Sequence, residues 1–265
     1  KLYINEPISG GIILSYKCNS ECKHCMYACS PKWKNNWINI NDLKEILKQL
    51  ALKINKKYPK YFNKIGINYG LHFTGGEPFL NFDLLLKSIE IAKEYEIPAK
   101  FVETNCFWCT NDRVTEEKLI RLKEAGLNGI LISANPFVVE YVPFERIERA
   151  VNISKRIFRE NTIVYQELFY VQMKSIGLKG TLSFENYLTI MREKDPTGLY
   201  LGLSYPSMLL MGRIPYKVGY LYRKYSAKEF FNESCLEELT RDWHIHVDNY
   251  CNYIAGYCAG ISLGD

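Results

Sequence analysis

The segment CNSECKHCMYACSP, residues 18–31, contains four of the nine cysteines of the chain, namely Cys18, Cys22, Cys25 and Cys29. Soft thiolates select zinc, copper(I) or iron–sulfur clusters. Zinc sites usually pair two cysteine or histidine knuckles across a longer spacer, whereas here three thiols with gaps of three and two residues lie on one short stretch. The segment therefore predicts a metal centre in which three thiolates leave one coordination position open, or four thiolates fill every position.

The two arrangements differ in whether Cys29 binds the metal centre. From Cys22 onward the run reads C-x2-C-x3-C-S-P, which partly resembles the cysteine run of ferredoxins. The gap before Cys22 is three residues rather than two, and the sequence holds no second copy of the run. We interpret Cys29 as a buried thiol beside the site, with ligation of the metal centre as the alternative.

A second stretch with the composition of a site is TGGEP, residues 74–78. Gly75 and Gly76 allow the backbone to approach another group closely and to adopt unusual dihedral angles. Pro78 fixes the exit from the turn. Taken alone, the stretch also fits an ordinary tight turn in which Glu77 caps the helix that follows.

The elements that must position these stretches alternate between strand and helix patterns. Short apolar runs indicate buried strands, and the segments between them repeat their apolar residues with helical spacing. The predicted strands are residues 11–16, 67–73, 99–104, 129–134, 162–166 and 199–204. The predicted helices are 41–57, 81–95, 144–158 and one near 227–242, with Thr115 and Ser183 as N-caps of two further helices and Gly126 as a helix end.

Apolar strands that alternate with helices indicate a parallel sheet covered by helices. The six predicted strands fit either an open doubly wound sheet or a partial barrel. In both folds, chemistry gathers where the strands end. The residues that follow the predicted strands are the cysteine segment, TGGEP, TNC at 104–106, Ser133 with Asn135, and Gln166. After about residue 205 the alternation breaks, and the C-terminal segment has a different pattern.

Length and charge set the broad class of the protein. The 265 residues, 47% of them hydrophobic, are enough for one large domain or a domain with an extension. The net charge of +5 comes from scattered lysines and arginines, which does not favour nucleic-acid binding. No apolar run approaches the roughly 18 residues of a membrane span, and the first residues do not resemble a signal peptide. Closely spaced cysteines without such a signal indicate reduced thiols and a cytoplasmic protein.

The order C-x3-C-x2-C after the first predicted strand and GGEP after the second resembles the radical S-adenosylmethionine (SAM) superfamily of enzymes. The resemblance covers residues 8–205. It implies an α/β fold, a partial (β/α)6 TIM-like barrel with parallel strands, over residues 1–204. Residues 205–265 then form a short cysteine-containing C-terminal extension. The implied cofactors are a [4Fe–4S] cluster, in which one iron lacks a protein ligand, and SAM on that iron.

The resemblance also implies roles for individual residues. The cluster ligands are Cys18, Cys22 and Cys25. The implied SAM contacts are His24, Gly75, Gly76, Glu77, Pro78, Asn105 and Ser133, with Glu103 and Gln166 as weaker candidates. His24 is expected near the adenine of SAM, although members commonly carry an aromatic residue at this position and His24 departs from that pattern. Polar residues that merely face the core are the alternative for the strand-end positions.

The other cysteines fall into two groups. Cys106 and Cys109 form a C-x2-C pair at a place where family members often read TNG. The pair is interpreted as a metal half-site, a redox pair or two buried thiols. Cys235, Cys251 and Cys258 loosely resemble the SPASM or twitch extensions, which hold auxiliary iron–sulfur clusters in many peptide-modifying members. An auxiliary cluster here would require a fourth ligand from elsewhere.

Two histidines near the C-terminus, His244 and His246, alternate on a predicted strand and therefore share one face. They are interpreted as ligands, substrate contacts or structural histidines.

The expected function is reductive cleavage of SAM and abstraction of hydrogen by the 5′-deoxyadenosyl radical, with a peptide or protein as the substrate. A small metabolite or a glycyl-radical enzyme is the alternative substrate. An iron–sulfur electron carrier and a zinc-binding module are the alternatives from other classes. The expected partners are the substrate and a reductant such as ferredoxin or flavodoxin, with no membrane partner.

Overall fold

The computed structural model describes residues 6–59, 61–204, 207–241, 243–254 and 261–265. Within this part of the chain, seven strands form one sheet with the order β5-β4-β3-β2-β1-β6-β7. The strands are β1 (Ser9–Ile13), β2 (Gly70–Thr74), β3 (Lys100–Thr104), β4 (Gly129–Ser133), β5 (Thr162–Tyr165), β6 (His244–Val247) and β7 (Tyr253–Ile254). All neighbouring pairs are parallel except β6 and β7. The described sheet is mostly parallel and not closed, which agrees with the prediction of an α/β fold with a partial barrel.

Helices connect and cover the strands. In chain order they are α1 (Ile40–Ile54), α2 (Phe82–Glu94), α3 (Asp112–Ala125), α4 (Pro136–Val139), α5 (Phe144–Phe158), α6 (Glu167–Ser175), α7 (Phe184–Lys194), α8 (Pro196–Leu203), α9 (Ile214–Lys217) and α10 (Leu236–Leu239). Short 3-10 turns occupy Asn55–Lys57, Pro78–Asn81, Arg159–Asn161, Gly219–Leu221 and Ala227–Phe230. The predicted helices over 41–57, 81–95 and 144–158 thus correspond to α1, α2 and α5.

The prediction of a sixth strand at residues 199–204 is wrong, because these residues lie in and beside helix α8. Asp195 precedes this helix, and its side chain accepts a hydrogen bond from the backbone N–H of Gly198. Pro196 occupies the first turn, where its missing N–H costs nothing. These two start signals favour a helix, and a short apolar run by itself does not distinguish the two structures.

The sixth parallel strand comes instead from the C-terminal segment. Strand β6 pairs with β1, with Ser9 opposite His244 and Gly11 opposite His246. The segment predicted as an extension, residues 205–265, therefore contributes a strand to the same sheet as the predicted core. The division of the chain at residue 204 stays a prediction about domains.

Of four further predictions about the helices, two are confirmed and two are wrong. Helix α3 begins after Asn111, whose side chain caps it, so the prediction of Thr115 as the N-cap is wrong. The predictions of Gly126 as the end of α3 and of Ser183 as the cap of α7 are confirmed. A single helix near 227–242 is wrong, since the described part of that segment holds only the turn Ala227–Phe230 and α10.

The two faces of the sheet differ in character. One packs against the apolar core, and the other, called here the inner face, is polar and borders a cavity. On β2, Leu71 and Phe73 pack into the main core, whereas His72 and Thr74 line a cavity on the other side. Because side chains alternate along a strand, this single strand serves both surfaces. None of the described helices has both the length and the apolar character needed to cross a membrane.

Candidate functional site

A cavity of about 440 Å³ lies at the carboxyl ends of the parallel strands. Its lining includes strand-end residues such as Thr74, Thr104 and Tyr165. Most of the predicted site residues meet here, namely Cys18, Cys22, His24, Cys25, Gly75, Gly76, Asn105 and Ser133. Two predicted SAM contacts, Glu77 and Pro78, are buried and do not line the cavity.

The three thiols of the predicted cluster site fit a multi-iron cluster better than a single ion. Ligand sulfurs around one tetrahedral zinc lie about 3.8 Å apart, because each Zn–S bond is about 2.3 Å long. In the described residues, Cys18, Cys22 and Cys25 do not form a group whose ligand atoms all lie within 4.8 Å of one another. A [4Fe–4S] cluster places its thiolates on separate irons and so accepts this wider spacing.

Two of these thiols would need a cationic partner in order to ionise. Burial, reinforced by the nearby Glu77, raises the pKa of Cys18 to about 12, and burial raises the pKa of Cys22 well above its ordinary value. A buried thiolate needs positive charge close by, and bound metal supplies it by deprotonating the thiol outright. The donor set therefore fits an iron–sulfur cluster.

Cys29 lies beside Cys25 and also lines the cavity. Its backbone N–H donates to Cys25 Sγ over 3.4 Å. A hydrogen bond from the Cys29 side chain is the main cause that lowers the pKa of Cys25 to about 6, while the same contact raises the pKa of Cys29. Cys29 is thus placed to donate to a thiolate at Cys25, which supports its interpretation as a thiol beside the site.

Arg213, which sequence reasoning missed, holds the cysteine segment in place. Its guanidinium donates to the carbonyl oxygens of Cys22, Ala28 and Cys29 at 3.2, 2.7 and 2.6 Å, and its backbone N–H donates to the carbonyl of Cys25 at 3.2 Å. A charged donor to several carbonyls of one loop fixes the loop geometry. No local motif marks this arginine, because 184 to 191 residues separate it from the carbonyls that its side chain contacts.

The two glycines of TGGEP bring this turn against the cysteine segment. Gly75 has a φ of +119°, and a Cβ there would lie 2.4 Å from the carbonyl oxygen of Ser15. At Gly76 a Cβ would lie 1.8 Å from the carbonyl oxygen of Lys17, and the Gly76 N–H donates to Ser15 O over 2.7 Å. The glycines therefore permit a close approach between two protein backbones, next to the cavity that both residues line.

A Gly76→Ala variant is expected to lose about 1–3 kcal/mol of unfolding free energy, because the methyl group overlaps a backbone oxygen that must move. The displaced Lys17 immediately precedes Cys18, so iron retention should fall as well. Gly219→Ala is the matched control, since the nearest atom to its Cβ lies 3.9 Å away. Urea unfolding and iron per chain measure both effects, and equal results for the two variants would contradict the packing role of Gly76.

The Glu77 carboxylate binds protein groups. It accepts hydrogen bonds from the backbone N–H of Asn105 at 2.8 Å, from Thr104 Oγ1 at 2.9 Å and from the backbone N–H of Phe79 at 3.2 Å. Burial raises its pKa to about 7, although these hydrogen bonds act in the opposite direction. Glu77 thus joins TGGEP to the end of β3 and caps the turn Pro78–Asn81, whereas Asn81, and not Glu77, caps the following helix α2.

The side chains predicted near SAM form a connected polar rim. His24 stacks on Phe137 with ring centres 5.0 Å apart, and its Nε2 lies 3.1 Å from Asn135 Nδ2. Asn135 also donates to Gln166 Oε1 over 2.8 Å. Burial lowers the pKa of His24 to about 4 and leaves the ring neutral at pH 7. The Nδ1 of His24 is buried without a hydrogen-bond partner, so the rim offers an unused polar atom to a ligand.

Asn105 and Glu103 occupy the end of β3 on either side of Thr104. Asn105 Nδ2 donates to Asn19 Oδ1 over 2.8 Å and lies 3.8 Å from Cys18 Sγ, which places it beside a predicted cluster ligand. Glu103 accepts a hydrogen bond from Thr74 Oγ1 over 2.5 Å, and burial raises its pKa to about 7. Ser133 and Gln166 line the same cavity.

The described cysteines outside the segment 18–31, namely Cys106, Cys109, Cys235 and Cys251, do not line this cavity. Cys106 and Cys109 are fully buried in the main core and do not line the cavity, and Cys106 has a φ of +67°, the conformation that favours the glycine of TNG. Cys235 is exposed and Cys251 is partly buried. The third predicted ligand of an auxiliary cluster, Cys258, lies outside the described residues, so that cluster stays a prediction.

Comparison with known proteins shows which family this chain resembles. The model of the radical SAM superfamily matches residues 12–167. The Bacillus subtilis (strain 168) protein named "Putative peptide biosynthesis protein YydG" is 26% identical over 152 residues, which are 57% of this chain and 43% of that protein. The GTP 3′,8-cyclase of Aquifex aeolicus (strain VF5) is 31% identical over 170 residues, which are 64% of this chain and 47% of that enzyme.

A solved structure described as native anSMEcpe with bound AdoMet is also similar, with a TM-score of 0.42 and 15% identity, over 67% of this chain and 52% of that one. This chain spans about half the length of the curated relatives it matches. The family model covers more than half of the chain and includes both the cysteine segment and TGGEP. The chain therefore belongs to the radical SAM superfamily.

Proposed function

We propose that this chain cleaves SAM reductively and directs the resulting 5′-deoxyadenosyl radical to a hydrogen atom of a peptide or protein. Membership of the superfamily implies the two cofactors, a [4Fe–4S] cluster and SAM. When bound, the cluster supplies the electron that breaks the carbon–sulfur bond of SAM. The observation that carries the proposal is the meeting of the three cysteines with Gly75 and Gly76 at one cavity.

In this proposal the residues of the chain hold the cluster, orient SAM and enclose both. Cys18, Cys22 and Cys25 are the proposed ligands. Cys18 and Cys22 are buried and Cys25 is partly buried, which limits the access of water to the cluster. Gly75 and Gly76 place backbone polar groups at the cavity wall beside these ligands. The remaining proposed SAM contacts that line the cavity are His24, Asn105 and Ser133. Glu77 acts indirectly in this proposal, because its carboxylate positions the backbone N–H of Asn105.

The choice of a peptide substrate rests on similarity to the relative named for peptide biosynthesis. The relatives named GTP 3′,8-cyclase make a nucleotide the second candidate. Since the chain spans about half of each relative, substrate and reductant are proposals that require direct measurement.

Anaerobic reconstitution with iron and sulfide, followed by reduction and addition of SAM, tests the proposed reaction. We expect 5′-deoxyadenosine by mass spectrometry and a change in the EPR spectrum of the reduced cluster on addition of SAM. An intact, reduced cluster that gives neither result would refute the reaction, and an unchanged EPR spectrum would indicate an electron carrier. A protein that holds zinc and no acid-labile sulfide would indicate a zinc module.

The same assay tests the substrate class. We expect a pool of synthetic peptides to stimulate 5′-deoxyadenosine formation above the rate with SAM alone, and GTP to leave that rate unchanged. Stimulation by GTP, without stimulation by the peptides, would replace the peptide proposal by the nucleotide one.

A further inference from the structure

Three of the four histidines of the chain converge on one point of the inner face of the sheet. His72 comes from β2, and His244 and His246 come from β6. These strands flank β1, where Gly11 lies opposite both His72 and His246. A Cβ at Gly11 would lie 2.3 Å from His72 Nε2 and 2.5 Å from His246 Cδ2. The imidazoles thus meet in the space that the missing side chain of Gly11 leaves.

The spacing of the three rings suits one metal ion. Each histidine offers one ring nitrogen, and all three nitrogens lie within 4.8 Å of one another. The Nε2 atoms of His72 and His246 are 3.1 Å apart. Two nitrogens bound to one tetrahedral zinc are about 3.3 Å apart, because each Zn–N bond is about 2.0–2.1 Å long. Among the described residues, only these three histidines form such a group.

Ser9 contacts one of the rings. Its Oγ lies 3.0 Å from the carbonyl oxygen of Trp243 and 2.6 Å from His244 Nδ1. When the Ser9 hydroxyl donates to Trp243, its oxygen can accept from His244 Nδ1, and the lone pair of neutral His244 is then on Nε2. This arrangement is the outer contact that metal-binding histidines typically make.

The surroundings favour a cation over an ordinary packed core. His72 is 3% exposed, yet its Nδ1 has no hydrogen-bond partner, whereas buried polar atoms are normally paired. Glu103 Oε1 lies 3.7 Å from His72 Nε2 and provides a carboxylate at the same point. All three histidines and Glu103 line the cavity of the cysteine site, so the group opens to a space that a ligand can enter.

The protonation state agrees with this geometry. Burial lowers the pKa of each of the three histidines below its usual range, and the neighbouring rings and Arg241 add to the effect at His244 and His246.

We propose that His72, His244 and His246 bind one divalent transition-metal ion, with Glu103 beside it and an open coordination position toward the cavity. Imidazole nitrogen suits zinc, iron, nickel and copper, and availability selects among them. An ion held by three protein ligands keeps a position for water or substrate, as catalytic zinc sites do. This site is separate from the cysteines and does not depend on the proposed SAM reaction.

The test uses the cluster-loaded protein, in which iron occupies the proposed cluster thiols, and Zn²⁺ as the probe. After removal of loosely held metal, we expect about one zinc per chain in addition to the iron. X-ray absorption at the zinc edge should show nitrogen or oxygen neighbours at about 2.0–2.1 Å and no sulfur at about 2.3 Å. Sulfur neighbours would show that zinc binds cysteines instead. A protein that retains no zinc would show that the three histidines form only a hydrogen-bonded group. Either result overturns the proposal.

Single substitutions test whether each of these residues contributes to zinc binding. His246→Asn and His72→Asn should each weaken zinc binding at least about a hundredfold, since loss of an outer contact alone typically costs ten- to a hundredfold. Ser9→Ala should weaken it about ten- to a hundredfold by releasing His244, and it leaves all three proposed ligands in place. Ser88→Ala is the matched control, because it removes an equally buried hydroxyl group that does not line the cavity, and its zinc content should stay unchanged. Zinc binding that is equal in all four variants would refute the assignment.

Discussion

Replacement of Cys18, Cys22 or Cys25 by alanine is expected to abolish stable binding of the [4Fe–4S] cluster, and 5′-deoxyadenosine formation should fall to background. Each thiolate is the proposed protein ligand of one iron, so loss of one leaves a second iron without a protein ligand. Cys29 is the remaining described cysteine that lines the cavity, and its proposed role is a hydrogen bond to Cys25 rather than a bond to iron. Iron and sulfide per chain, the EPR spectrum and the deoxyadenosine assay measure the loss.

Cys29→Ala is the matched control for these variants. Cys29 is buried and lies four residues after Cys25, but its proposed role is to donate a hydrogen bond to Cys25. We therefore expect about four irons per chain and retained SAM cleavage, with a raised pKa at Cys25 in the metal-free protein. A Cys29→Ala protein without a cluster, beside a Cys18→Ala protein that keeps one, would reverse the assignment.

Arg213→Ala should lower the unfolding free energy of the metal-free protein by about 2–4 kcal/mol, because hydrogen bonds from a charged donor are among the stronger ones and buried carbonyls lose their partner. The carbonyls that lose this partner belong to Cys22, Ala28 and Cys29. The loosened segment should also retain less iron after reconstitution. Urea unfolding and iron per chain are the measurements.

Two variants complete this experiment. Arg223 is an exposed arginine of the same C-terminal segment, and Arg223→Ala should change the unfolding free energy by less than about 0.5 kcal/mol. Arg213→Lys keeps the charge but loses the planar set of donors, so we expect an intermediate loss. If Arg213→Ala matched Arg223→Ala in stability and in iron content, Arg213 would have no role in holding the cysteine segment.

The sequence by itself determined the motifs and most of the elements that carry them. Cys18, Cys22 and Cys25 are recognisable because their spacing is local, and TGGEP is recognisable because a turn is local as well. Five of the six predicted strands are present as β1 to β5, since buried parallel strands read as short apolar runs. The meeting of both motifs at one cavity followed from the rule that parallel strands present their carboxyl ends together.

Only the tertiary structure decided what depends on distant pairing. That β6 joins β1 is set by packing between segments more than 200 residues apart, and this pairing brings His244 and His246 to His72. The contact of Arg213 with the cysteine segment is equally remote in sequence. Residues 199–204 form helix α8 through a cap that outweighs an ambiguous apolar run. Local spacing specifies which residues can do chemistry, whereas long-range packing, which leaves no periodic signal in the chain, specifies which of them meet.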